Sequence, residues 1–77
     1  MRKIIDVIPR KNYILEIHLN NNHMIICDMK TRLEGIRFRG LKDTLLFEQY
    51  QIHNGDTIRW SETCELTLDE IMLMLEY

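Results

Sequence analysis

The chain has 77 residues, two cysteines and a formal net charge of −2. That length makes residues 1–77 a single small domain, burying only ~60% of the surface its unfolded chain would expose. The charge gives no general attraction to nucleic acid or anionic membranes, and no apolar run approaches the ~20 residues that cross a bilayer.

Ile4 to Ile8 is predicted as a first strand, rich in β-branched residues and ended by Pro9. Asp6, Pro9, Arg10 and Lys11 interrupt any signal-peptide core, so secretion is not expected. Tyr13 to Leu19 is the clearest strand: Tyr13, Leu15, Ile17 and Leu19 alternate with Ile14, Glu16, His18 and Asn20. Asn21 and Asn22 suit a two-residue turn, because asparagine tolerates left-handed backbone. Met24 to Asp28 then returns, and that turn predicts Leu19 opposite Met24 and Ile17 opposite Ile26, all on the apolar face.

Residues 29–47 read less regularly. Lys30 to Gly35 is a loop or a short helical turn, Ile36 to Arg39 a brief extended piece broken by Gly40, and Asp43 to Phe47 a further helical turn. Glu48 to Ile52 and Thr57 to Trp60 form a second hairpin. A two-residue Asn54-Gly55 turn would send its apolar residues to opposite faces. The three-residue loop His53-Asn54-Gly55, with positive φ at Gly55, keeps Tyr50, Ile52, Ile58 and Trp60 together. Thr67 to Glu76 is the convincing helix: Thr67 is the N-cap, Glu70 completes a capping box, and Leu68, Ile71, Met72 and Leu75 form its core stripe. The expected architecture is α+β, a small antiparallel sheet of four to five strands covered by one C-terminal helix. Trp60 is expected beneath that helix.

The run Ile5-x-Val7, Tyr13-x-Leu15-x-Ile17-x-Leu19 and Asp28, then Gly40-Leu41, Leu46-Phe47, Thr57-Ile58-x-Trp60 and Glu65-Leu66-Thr67-x-Asp69-Glu70, resembles a bacterial family of small uncharacterised proteins. That family is the one known as domain of unknown function 2442. The resemblance spans roughly residues 3 to 72 and lies in the order and spacing of the motifs. It implies a compact α+β domain without an assigned enzyme activity. Some members carry an added helix-turn-helix domain, and some are encoded beside a small partner in toxin–antitoxin-like pairs. This chain stops at Tyr77, so the DNA-binding extension is not expected. It departs from the family at Asn21-Asn22, where Asp-Gly is favoured, at Glu65, where Asp is preferred, and at Leu68, where Pro is common.

Candidate chemistry is sparse. His18, His23 and Cys27 are metal-ligating residue types, but His23 and Cys27 would stand ~13 Å apart along one strand. A nucleophilic set drawn from Cys27 or Cys64, a histidine and Asp28 lacks any spacing that implies convergence. Gly35 and Gly40 make no phosphate-cradling loop. No catalytic residue, cofactor or metal is therefore expected. The cysteines read as reduced thiols, at least one of them semi-buried, of a cytoplasmic protein.

Two surfaces remain. Lys30, Arg32, Arg37, Arg39 and Lys42 crowd the middle of the chain and are candidate phosphate contacts, or else a solvated edge balanced by the acidic C-terminal end. Leu73, Met74 and Tyr77 add apolar surface beyond the core stripe and are the candidate partner interface, or else Leu73 or Met74 tucks against residues 36–47 or frays harmlessly at the terminus. The expected function is a non-enzymatic protein-interaction module, a homodimer or one member of a toxin–antitoxin-like pair. The alternative is a weak nucleic-acid-binding regulatory domain using the 30–42 segment.

Overall fold

The computed structural model describes residues 2–75. Among these residues six strands and two short α-helices follow in chain order: β1 (Ile4–Arg10), β2 (Ile14–Leu19), β3 (Met24–Asp28), α1 (Thr44–Phe47), β4 (Gln51–His53), β5 (Thr57–Ser61), β6 (Cys64–Thr67) and α2 (Leu68–Met74). The fold is α+β, but the strands form two three-stranded antiparallel sheets, β1-β2-β3 and β4-β5-β6, rather than one sheet of four to five strands. β1 and β4 lie beside each other without forming a ladder. Ile4 N–H donates to Gly55 O at 2.6 Å, and Tyr50 Oη donates to Val7 O.

Alternation along β2 works as expected: Leu15, Ile17 and Leu19 are buried and the residues between them half-exposed. Tyr13 lies outside the strand, in a tight turn where it and Asn12 both take positive φ. Pro9 does not end β1. It pairs with Leu15 on a strand whose far side has no ladder partner among the described residues, which is where proline fits a sheet.

The first hairpin differs from expectation by one residue. Leu19 N–H donates to His23 O, so the loop is Asn20-Asn21-Asn22, and of these only Asn22 has positive φ (67°). Ile17 now pairs with Ile25 and His18 with Met24. Ile25 and Cys27 turn into the core, while Met24 and Ile26 turn out. In the second hairpin Gly55 has the expected positive φ (70°), but the loop is Asn54-Gly55-Asp56, with Ile52 opposite Ile58. The loop stays odd, so the parity holds although the register moves.

The middle segment is a wall of the core. It runs as 3₁₀ turns at Lys30–Arg32 and Arg39–Lys42, then α1, whose N-cap Asp43 accepts from Leu45 N–H. Residues 36–39 make turns rather than an extended piece. Met29, Leu33, Phe38, Leu41 and Phe47 are all buried in one cluster with residues of both sheets and α2. Trp60 is half-buried, and its cover comes from here: its ring stacks on Phe47 at 6.3 Å, meets Phe38 edge-on at 6.4 Å, and its Nε1–H donates to Phe47 O at 2.9 Å.

β6 leads directly into α2. The capping box forms as expected, with Thr67 Oγ1 accepting from Glu70 N–H and the Glu70 carboxylate accepting from Thr67 N–H. Leu68 and Ile71 are buried, Met72 is half-buried, and Leu75, expected in the core stripe, is exposed just past the helix end.

Candidate functional site: an apolar strand edge and a divided basic run

The histidines and cysteines do not converge. Cys27 is buried, with its Sγ 3.7 Å from Met29 Sδ, and burial pushes its pKa up to about 11. Cys64 is also buried and its pKa is raised for the same reason. A thiol in that condition holds little thiolate and is a poor nucleophile. His18 stands on the outer face of the first sheet, 2.6 Å from Glu16 Oε2, while Arg10 holds Glu16 Oε1. These two contacts, His18 first, lower the Glu16 pKa. Among the described residues no group of three His, Cys, Asp or Glu side chains is placed to hold a metal ion. No described helix is long and apolar enough to cross a membrane.

The basic run is divided by its partners. Arg37 makes a two-pronged ion pair with Glu70 on α2 (Nη1 to Oε2 2.6 Å, Nη2 to Oε1 2.8 Å) and also donates to Glu65 O. This guanidinium holds the Glu70 carboxyl at about 2, well below the usual range. Lys42 pairs with Glu34 at 3.2 Å. Lys30, Arg32 and Arg39 are exposed and make no ion pair among the described residues. Two of the five cations are thus already paired with carboxylates.

Of the candidate interface residues, Leu73 is 58% exposed, Met74 is half-buried against the chain's own core, and Tyr77 lies outside the described residues. A further apolar surface is one that periodicity did not reveal. Met24 (52% exposed) and Ile26 (49%) stand on the outer face of β3. Beside them a hollow is lined by Ile26, Cys27, Asp28, Thr31, Arg32, Met74 and Leu75, so α2's end and β3's edge share one surface. A second hollow, lined by Ile36, Leu41, Leu46 and Trp60, lies above the middle segment, and Ile36 is 89% exposed. The available signal was the unbroken run Met24-Ile25-Ile26-Cys27, apolar on both faces of a strand that has only one core to face.

No family model, curated protein or solved structure matches this chain.

Proposed function

We propose that the chain is a non-enzymatic protein-interaction module that uses the surface where β3 meets the end of α2. The observation that carries this reading is the joining of Ile26, Met74 and Leu75 in one hollow, with Met24 and Leu73 exposed on the elements that frame it. Apolar side chains that converge from separate elements onto one exposed surface mark contact sites. Buried thiols with raised pKa values, and histidines held by neighbouring acceptors or away from those thiols, favour binding over catalysis. A place in the family the sequence resembles, with its toxin–antitoxin-like partners, is proposed on the order of the motifs alone.

The alternative, a nucleic-acid-binding regulatory domain, would rely on Lys30, Arg32 and Arg39, since Arg37 and Lys42 already face carboxylates. Three cations release few counterions, so phosphate binding would be weak at physiological salt.

The test is affinity capture with tagged wild-type chain and with Leu73→Asp and Ile26→Asp variants in the cells of origin, with light scattering on the purified protein. The expected result is self-association, or a retained protein partner, that either charge abolishes. A monomeric wild type that retains the same proteins as both variants refutes the reading.

A further inference from the structure

We infer that the edge of β3, unpaired among the described residues, takes up an extended peptide strand carrying an acidic residue where it passes Lys30 and Arg32. This rests on the protein-interaction reading and supplies its mode of recognition.

The backbone sets the edge. Leu19 N–H donates to His23 O and Met29 N–H to Tyr13 O, so the odd residues of β3 are the ones hydrogen-bonded to β2. The even residues, Met24, Ile26 and Asp28, therefore direct their N–H and C=O groups away from the sheet, and these groups have no backbone partner among the described residues. The edges of β1 and β6 are each engaged in part. β1 carries Pro9 and is met by Gly55 O and Tyr50 Oη, and the Glu65 carbonyl on the edge of β6 accepts from Arg37. Proteins ordinarily block an open strand edge with proline, an inward charge or a covering element, because it templates further pairing. Within β3 there is no proline, and its one charged residue is Asp28 at the end of the strand.

The side chains define what pairs there. Met24 and Ile26 offer apolar contacts on the outer face, and Thr31, Met74 and Leu75 extend them beside the strand. At the Asp28 end of the strand, the turn Lys30–Arg32 carries two exposed cations that meet no carboxylate among the described residues. The Asp28 carboxylate is turned back to accept from Lys30 N–H at 2.9 Å. An added strand running past this end meets net positive charge, so an acidic residue is favoured there. A second copy of this chain paired antiparallel about Ile26 does not supply one. Antiparallel pairing about Ile26 sets Lys30 opposite Asn22 and Arg32 opposite Asn20 of the other copy, leaving both cations against a neutral turn. Charge complementarity therefore selects a different polypeptide, bound by strand addition.

The experiment is selection of random dodecapeptides displayed on phage against the immobilised full chain. Selected peptides are then titrated into isotopically labelled full chain and followed by amide NMR. The expected peptides are β-formers enriched in Asp and Glu toward one end. Their binding shifts the Met24, Ile26 and Asp28 amides most and slows exchange of those amides. Lys30→Glu combined with Arg32→Glu weakens the acidic peptides by about tenfold, the size of two exposed ion pairs. Ile26→Pro, which removes one outward N–H that the fold does not use, abolishes binding. Peptides with no acidic bias, or shifts confined to other surfaces, overturn the inference. Peptides that map to Leu73 or to the Ile36–Leu46 hollow leave the interaction reading standing while the edge falls. Failure to select any peptide overturns the edge, and the capture experiment with Leu73→Asp then decides the broader reading separately.

Discussion

The Arg37–Glu70 pair ties the middle segment to α2, and its contribution can be worked from the structure. A carboxyl moved from 4.5 to about 2 corresponds to about 3.4 kcal/mol if solvent did nothing. The two side chains are 43% and 36% exposed, so screening reduces this to about 1–1.5 kcal/mol. Because the folded-state pKa is depressed, the stability is present in full above about pH 4.5 and is lost as pH falls toward about 2. A double-mutant cycle of Arg37→Met and Glu70→Gln isolates it. Gln retains the capping-box acceptor for Thr67 N–H, so the substitution removes charge while keeping the helix cap. The loss of the Arg37 bond to Glu65 O cancels between the two arms of the cycle. Urea unfolding should give a coupling energy of about 1–1.5 kcal/mol near neutral pH that shrinks as the pH is lowered toward about 2. A neutral-pH coupling below about 0.3 kcal/mol, or one unchanged in acid, refutes the claim that this pair fixes the segment electrostatically.

Trp60→Phe removes the Nε1–H bond to Phe47 O and part of the ring stack, and should cost about 1.5–3 kcal/mol in urea unfolding. Of the two central asparagines in the first hairpin, only Asn22 has positive φ, so Asn22→Gly should stabilise by about 0.5 kcal/mol while Asn21→Gly should not. Stabilisation by both would restore the two-residue turn. Cys27, with its pKa raised from 9.0 to about 11, should react with iodoacetamide at least about 100-fold more slowly in the native than in the unfolded chain near neutral pH. The same shift makes its contribution to stability full below about pH 9 and lost as pH rises toward about 11, which alkaline urea titrations of wild type and Cys27→Ala would show.

What the sequence made legible was local. Period-two alternation placed Leu15, Ile17 and Leu19 inside because β2 is central, with a neighbour on each side and one face on the core. Thr67 and Glu70 marked the start of α2 because a capping box is a short-range arrangement. Residues 29–47 were illegible for the opposite reason. Their buried residues, Met29, Leu33, Phe38, Leu41 and Phe47, fall at irregular intervals because successive tight turns, not one helix or strand, carry them. β6 escaped notice because four residues, two of them polar, give too short a pattern. The division into two sheets depends on β1 meeting Tyr50 and Gly55, on either side of β4, through two hydrogen bonds instead of a ladder, a long-range outcome that no window of sequence contains. Of the basic run, Arg37 alone among the described residues pairs with the acidic C-terminal end, on Glu70, a contact that spacing alone did not single out.

The one-residue difference in the first hairpin bears directly on function. Under a two-residue turn, Met24 and Ile26 would fill the core and Ile25 and Cys27 would face outward, so the apolar run would read as core plus a small surplus. The three-residue loop reverses this and leaves the two longer of the outward candidates, Met24 and Ile26, on the face whose backbone groups also lack a backbone partner among the described residues. Side-chain exposure and unpaired amides coincide on the same residues because in an antiparallel pair the residues not bonded to the neighbouring strand share one face of the sheet. The turn that sets the register therefore also determines which side chains flank the open edge. A variant that forces the two-residue turn should lose peptide uptake at β3 even if the chain still folds.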